Sequence, residues 1–423
     1  MNTAGYEKDP GLRWFEYESR NRSNTAIGAL AMVRGPVPTR GELLLLLETA
    51  CARHPRLRSH ARPPGHALLP DPSLEDHLTL ARLDPTGESA LVPAVENACA
   101  RPLGDLTWRV RLFHGHQDGE FAVLILAHHG LADGMSLVAL LQSGSSFQRG
   151  SSFQGGPSGY PVPARSRPNG ADPVGWTAGR VRAVTREAAA VLAPRPGAAQ
   201  PAVSVTAPGA VPRHRWTSVP LGRLTAIAHA HAASPNDVYL AALAGALAPW
   251  RQDDRPVRAL VPISTRSAAD TDELGNHLYG RVVTLPCHLP TARSRLEAVM
   301  EQTRRIRREQ QAPDTGALLG ALPTAWQGRM TGRQLSPRRV TLIASYVPSS
   351  AQRFRLAGRT VEAVRPLMFL PAGHRLAVCL AEYAGSASLG VVALPGLPAE
   401  ALLAGWHGEL RGLESDAAGR GVR

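Results

Sequence analysis

Between residues 121 and 127 the chain reads Phe-Ala-Val-Leu-Ile-Leu-Ala without one polar position, and an apolar pattern with helical spacing resumes from Ser136 to Leu141. A short run rich in branched residues predicts a strand covered on both faces, and the pattern after it predicts a helix. His128 to Gly134 therefore form the turn between them. Successive strand side chains point to opposite faces, so one of the adjacent His128 and His129 faces a cavity while the other packs away.

The same reading places elements along the rest of the chain. Thr25 to Arg34 is a β-like run, Gly35-Pro36-Val37-Pro38 breaks it, and Thr39 caps a predicted helix that ends near His54-Pro55. A helix is expected through Leu91 to Cys99. Arg109 to His114 and Glu120 to Ala127 flank a glycine-bounded turn and make a hairpin that delivers the histidines. Gln142 to Pro173 repeats Gly-Ser-Ser-Phe-Gln and cannot bury a core. With a helix expected from about Trp176 to Leu192, residues 142–213 read as a crossing between two halves, 1–141 and 214–423. The second half opens with the strand Arg215 to Val219 and a helix from Leu221 to Ala232. Ser234 then caps an apolar helix to Leu247. Further strands are expected at Arg258 to Arg266, up to Pro286, Val340 to Pro348, Leu376 to Tyr383 and Ser388 to Val392. Helices are expected at Leu296 to Gln311 and near Glu400 to Leu410.

Composition narrows the possibilities. At 423 residues and 43% hydrophobic the chain is globular, with room for two units of about 200 residues each. No stretch approaches the roughly 18–20 apolar residues of a membrane span, and the polar start does not read as a signal peptide, so a cytoplasmic protein is expected, with peripheral membrane contact left open. Cys51, Cys99, Cys287 and Cys379 show no metal or disulfide spacing. The net charge of +13 suits a nucleic acid, an anionic surface or a phosphate-bearing cosubstrate. Its cations are almost all arginine, spread widely, and no nucleic-acid motif accompanies them, which excludes nucleic acid from the expected partners. The cluster Arg304, Arg305, Arg307 and Arg308 reads as a solvated helix face, with phosphate or anionic lipid as the sharper alternative.

The chemistry is expected in the turn. Imidazole ionises near neutrality and can take a proton from an alcohol or amine and return it to a leaving group. His129, nearer the turn, is the expected base, with His128 supporting it. Asp133 lies only four residues on, so a buried arginine partner is as plausible for it as the imidazole, and Gly134 is expected to supply backbone freedom. The pattern His-His-x-x-x-Asp-Gly arises by chance in only on the order of a few chains per thousand, which favours function over a satisfied core pair. Gly-x-Ser-x-Gly and activated-cysteine motifs are missing, which argues against a covalent route.

Here the chain resembles the His-His-x-x-x-Asp-Gly superfamily of acyltransferases, which includes chloramphenicol acetyltransferase, plant acyltransferases and the condensation domains of peptide synthetases. Within it, the wax ester synthase/diacylglycerol acyltransferase family fits best. Ala52 to Arg58 resembles an early Arg-His-x-x-Leu-Arg signature, from which Arg58 is the expected partner of Asp133. Pro102, Leu103 and Trp108 match a further element, where Trp108 reads as core, with a substrate wall as the alternative. Ser234 to Leu247 resembles the family's Asn-Asp block; Asn236 and Asp237 read as a helix cap, with the floor of the site as the alternative. Ser264, Arg266 and Asn276 lie in two more family-like blocks, as residues that line the channel or hold the halves together. Val347 to Gly358 matches a block in which Tyr346, Ser349 and Ser350 depart from the pattern, so substrate positioning there is expected to differ from the neutral-lipid enzymes.

The resemblance implies an α/β fold of two chloramphenicol-acetyltransferase-like subdomains, 1–141 and 214–423, of mixed sheet and helices in a V-shaped pair around a central channel with His129 midway. It implies acyl transfer from acyl-CoA or an acyl-carrier thioester to a lipid or small-molecule hydroxyl or amine, with no bound cofactor and with a carrier protein among the candidate partners. The product is a neutral lipid or a specialised-metabolite ester or amide. Two rival readings stand beside it: a non-catalytic scaffold of the same fold, and a zinc site on His128, His129 and Asp133, although adjacent histidines seldom converge on one metal.

Overall fold

The computed structural model describes residues 11–58, 73–84, 88–143, 193, 196–201, 210–264, 266, 274–310, 323–348 and 353–420. Most of the repeat-rich stretch, the helix expected at 176–192, Ser349 and Ser350 lie outside them. Two six-stranded sheets organise the rest. The first contains β1 (Ala26–Arg34), β2 (Leu78–Arg82), β3 (Trp108–His114), β4 (Glu120–His128), β9 (Arg355–Leu356) and β10 (Arg359–Leu367), in the order β2-β3-β4-β1-β10-β9. The second contains β5 (Arg213–Pro220), β6 (Val257–Ser264), β7 (Leu278–Leu285), β8 (Leu342–Val347), β11 (Leu376–Tyr383) and β12 (Ser386–Ala393), in the order β5-β12-β11-β8-β6-β7. Both are mixed: β2 runs parallel to β3, and β8 runs parallel to β6 and β11. The helices that matter for the site are α1 (Leu12–Asn21), α2 (Arg40–Arg53), α3 (Glu88–Ala100) and α4 (Gly134–Ser143). In the second half they are joined by α5 (Leu221–Ala230), α6 (Pro235–Leu247), α7 (Ala292–Gln310), α8 (Thr324–Gln334) and α9 (Ala399–Arg420).

β4 shows why the apolar run was readable. It lies between β3 and β1, with Phe121, Val123 and Ala127 in one core cluster and Ala122, Leu124 and Leu126 in another, beneath Leu91, Val95 and Ala98 of α3. That period of two carries into the turn and parts the two histidines. α2 begins as expected: Thr39 and Glu42 form a reciprocal capping box, with Thr39 N–H donating to Glu42 Oε2 (2.8 Å) and Glu42 N–H to Thr39 Oγ1 (3.2 Å).

Three features depart from the sequence reading. α1, β2, α8, β9 and β10 were not expected. β10 comes from the second half of the sequence yet pairs antiparallel with β1 of the first sheet, from Gly28 opposite Leu367 to Arg34 opposite Thr360. It covers an edge of β1 that would otherwise offer unpaired N–H and C=O groups. α1, from the first half, in turn packs on α8 of the second, and Ala372 N–H donates to Tyr17 Oη (3.2 Å). Each half thus contributes an element to the other's side of the seam, which a division by sequence position does not capture.

Candidate active site

The strand β4 ends at His128, and α4 starts at Gly134. Asp133 is the helix cap: its Oδ1 accepts from Ser136 N–H (2.8 Å) and Ser136 Oγ (3.0 Å). The same oxygen accepts from the Arg266 guanidinium (2.9 Å), while Oδ2 accepts from His277 N–H (3.1 Å). The single Ser136 hydroxyl proton lies between Asp133 Oδ1 and Gly275 carbonyl (3.0 Å), and the Arg266 guanidinium reaches both Ser136 Oγ and Gly275 carbonyl. Asp133 and Ser136 are fully buried and Arg266 nearly so. This network ties the turn of the first half to the loop before β7 in the second.

The partner of Asp133 is therefore Arg266, not Arg58, which is exposed at the end of the 3-10 turn Pro55–Arg58. A buried carboxylate needs a desolvated cation within contact, and the loop after β6 brings one across the seam. Ser264, exposed at the end of β6, accepts from Arg266 N–H (3.2 Å) and helps turn the chain there. Asn276 holds the other side of the turn. Its Nδ2 donates to His129 carbonyl (2.8 Å) and its Oδ1 accepts from Arg13 of α1 (3.2 Å), which also reaches Leu278 carbonyl (2.6 Å). Arg266 and Asn276 thus join the halves.

Gly134 was expected to provide backbone freedom, but its φ is ordinary. Its absent side chain is what matters: a Cβ there would sit 2.7 Å from Val347 Cγ2 of β8. Gly134→Ala is expected to cost roughly 1–3 kcal/mol by overpacking the seam, and Val347→Ala in the same chain is expected to recover part of it. Chemical denaturation of the three variants checks this; an unchanged midpoint for Gly134→Ala alone contradicts it.

The two imidazoles are held in opposite tautomers. His128 Nδ1 accepts from Gly130 N–H (3.0 Å), which leaves the proton on Nε2, beside Glu18 and Thr25 Oγ1. His129 Nδ1 faces Ala132 carbonyl (3.2 Å), which can only accept, so the proton is on Nδ1 and the lone pair on Nε2. That Nε2 has no hydrogen-bond partner among the described residues, on a ring whose residue is 7% exposed. Trp14 (ring centroids 4.2 Å apart) and Phe369 (5.5 Å) wall the ring.

Burial pushes the His129 pKa down to about 4, against the opposing pull of Asp133 and the Ala132 carbonyl; His128 and Arg13 add to the depression. The folded value lies below the ordinary 6.5, so between the two the unfolded chain binds a proton that the site refuses, and stability from this group is lost as pH falls through that window. The same shift keeps the lone pair free. The acid limb of kcat/KM is expected near pH 4 rather than near 6.5, checked by a pH-rate profile; a limb at 6.5 contradicts it.

The other expected site residues resolve as follows. Trp108 is core: it is 3% exposed, stacks on His77 and donates from Nε1 to Leu57 carbonyl (2.9 Å). Asp237 forms a capping box with Ser234 and bonds Thr303 and Arg307 of α7, as the helix-cap reading expects, and Asn236 is buried beside it. Arg307 is thereby an ion-pair partner, whereas Arg304, Arg305 and Arg308 are exposed. Tyr346 lies on β8 next to Val347 and bonds Glu382. Among the described residues no group of three His, Cys, Asp or Glu side chains could hold a metal, and the rings of His128 and His129 point apart while Asp133 is taken by Arg266. Nor is any helix there long and apolar enough to cross a membrane.

Sequence reading missed α1 altogether. The signal was present: Trp14, Phe15 and Tyr17 crowd three aromatics into four residues of a chain only 5% aromatic. Ser136, Phe369 and His277 were missed as well.

Two family models match this chain: the wax ester synthase/diacylglycerol acyltransferase catalytic domain over residues 47–239 and the WS/DGAT C-terminal domain over residues 274–413. The chain is 27% identical over 403 residues to the probable diacylglycerol O-acyltransferase tgs1 of Mycobacterium tuberculosis H37Rv, an alignment covering 87% of this chain and 86% of that protein. In structure it is similar to the wax ester synthase/diacylglycerol acyltransferase of Marinobacter aquaeolei VT8, with a TM-score of 0.61 and 19% identity, covering 94% of this chain and 96% of that one. It is also similar to a variant starter condensation domain of rhizomide synthetase RzmA in complex with C8-CoA and Leu-SNAC. There the TM-score is 0.62 at 14% identity, covering 96% of this chain and 93% of that one.

Proposed function

This chain belongs to the wax ester synthase/diacylglycerol acyltransferase family and is an acyltransferase, and on that premise we propose that His129 Nε2 is the general base for direct acyl transfer from a thioester to a hydroxyl or amine. The acceptor's O–H or N–H gives its proton to Nε2 as its heteroatom bonds the thioester carbonyl carbon. The carbon–sulfur bond then breaks, and the imidazolium returns the proton to the leaving thiolate. A depressed pKa suits both steps, because the lone pair is free at neutral pH and the imidazolium is a ready acid toward a thiolate. The observation that supports the reading is the unpartnered Nε2 on a ring fixed through Nδ1.

Asp133 acts through structure: it caps α4 and clasps Arg266, and the ring itself is oriented by the Ala132 carbonyl. The two sheets serve as paired subdomains, residues 1–141 with β9 and β10 against the rest of 214–423, with donor and acceptor entering the seam from opposite faces. The donor class is acyl-CoA or an acyl-carrier thioester, as the C8-CoA complex of the condensation domain suggests. For the acceptor, relatives named for diacylglycerol favour a lipid alcohol. Tyr346 stands where the family pattern has another residue, which favours a specialised-metabolite alcohol or amine. Mass spectrometry of products from a panel of acyl thioesters and acceptors separates the two: a wax ester or triacylglycerol supports the first, an ester or amide of a small polar acceptor the second. Free acid alone, with every acceptor left untouched, contradicts acyl transfer.

A further inference from the structure

One helical face touches both imidazoles, and it lies outside both stretches that match the family models, the first of which begins at residue 47. On α1, Trp14 packs against His129, Phe15 stacks on His128 (centroids 3.6 Å apart, planes at 12°) and Glu18 meets His128 Nε2. Positions three and four apart share a helix face, so a single turn and a half of helix delivers all three.

Resting on the proposed role of His129, we propose that Glu18 is a positioning residue for the reaction, acting through the tautomer of His128. The chain of contacts is closed. Glu18 Oε2 accepts from Thr25 Oγ1 (2.8 Å) and from His128 Nε2–H, which holds the imidazole proton on that nitrogen. His128 Nδ1 is then an acceptor, and Gly130 N–H donates to it (3.0 Å). The His128 carbonyl accepts from Leu131 and Ala132 N–H (2.8 and 3.2 Å), and Ala132 carbonyl in turn fixes His129 Nδ1. Thr25 closes the ring from the other side, its carbonyl accepting from His129 N–H (3.2 Å).

Were the His128 proton to move to Nδ1, two N–H groups would face each other at Gly130, and the turn that aims His129 would loosen. A carboxylate on the opposite nitrogen prevents that, much as partners beyond the ligands orient histidines at metal sites. Burial pushes the Glu18 carboxyl up, but the hydrogen bond and charge attraction of His128, with the hydrogen bonds from Thr25, outweigh it and hold it below the usual carboxylate range, so it is an acceptor at neutral pH. Gly130 leaves no slack: a Cβ there would lie 2.6 Å from Gly11 carbonyl.

The test combines kinetics with nitrogen-15 NMR of the imidazoles in the full chain. In the unaltered protein His128 is expected as the Nε2–H form and His129 as the Nδ1–H form. Glu18→Ala is expected to mix the two forms of His128 and to lower kcat about 10–100-fold with KM for palmitoyl-CoA within a few fold. Glu18→Gln, whose carbonyl can still accept from Nε2–H, is expected to recover most of kcat and the single tautomer. Three results overturn the proposal: His128 protonated on Nδ1 in the unaltered protein, an unchanged kcat in Glu18→Ala, or a loss that Glu18→Gln shares in full. The NMR result stands whether or not palmitoyl-CoA is the donor, so failure here is distinct from failure of the acyl-transfer reading. If Glu18→Ala does not fold, Glu18→Gln carries the test: a folded Glu18→Gln that loses kcat in full, or that shows His128 protonated on Nδ1, overturns the proposal.

Discussion

His129→Ala is expected to lower kcat by roughly 10²–10⁴-fold, with KM for the thioester changed by only a few fold. Among the described residues no neighbouring side chain offers a free base in its place. Both nitrogens of His128 are engaged, by Gly130 on one side and by Glu18 and Thr25 on the other. Both oxygens of Asp133 are taken by Arg266, Ser136 and His277. The loss is confined to chemistry because the turn is secured by backbone bonds and by Asn276 on the His129 carbonyl, which alanine keeps. A thermal melt should show the variant folded. A variant that turns over within a few fold of the unaltered protein contradicts the assignment.

The second large effect is on stability. Arg266→Ala leaves the Asp133 carboxylate buried without its cation, and Asp133→Ala strands the guanidinium and also strips α4 of its cap. Breaking one partner of a buried pair costs about 3–5 kcal/mol, and the lost cap adds about 1 kcal/mol for Asp133→Ala. The double variant Asp133→Leu/Arg266→Met should cost less than the sum of the singles, since neither charge is left stranded, and a double-mutant cycle measures the coupling. The seam hangs on these residues, so the single variants should also lose activity that His129 alone does not explain. Singles within 1 kcal/mol of the unaltered protein by denaturant unfolding would falsify the latch.

The parts of this site that local sequence encodes were legible, and the parts that long-range pairing encodes were not. Phe121 to Ala127 announced a buried strand because an unbroken apolar run rich in branched residues is a local signal, and Asp133 and Gly134 followed within one turn. The arginine for Asp133 was sought at Arg58, in a family-like segment, but the partner is Arg266, 133 residues on. Nothing in spacing distinguishes one buried arginine from another until the sheets are placed. Gly134 was assigned to conformational freedom when the constraint is a neighbour, Val347, from the other half. β10 is itself unexpected from sequence, and nothing local marks it as a partner of β1. α1 went unread because its polar residues, Arg13, Glu16 and Glu18, masked an aromatic face that becomes meaningful only against His128 and His129.

A covalent acyl-enzyme is the main chemical competitor to direct transfer, and the thiols are poorly placed for it. Burial pushes Cys99, Cys287 and Cys379 each up to about 12, where the thiolate is scarce at neutral pH. The most direct measurement is therefore rapid mixing of the protein with palmitoyl-CoA, with and without an alcohol acceptor, reading free CoA and intact protein mass in the unaltered chain and in His129→Ala. Direct transfer through one neutral imidazole predicts no CoA burst and no added protein mass without acceptor, fast CoA release with it, and neither in His129→Ala. A burst equal to the enzyme concentration with an acyl group on the chain, or acceptor-dependent release undiminished in His129→Ala, would contradict it.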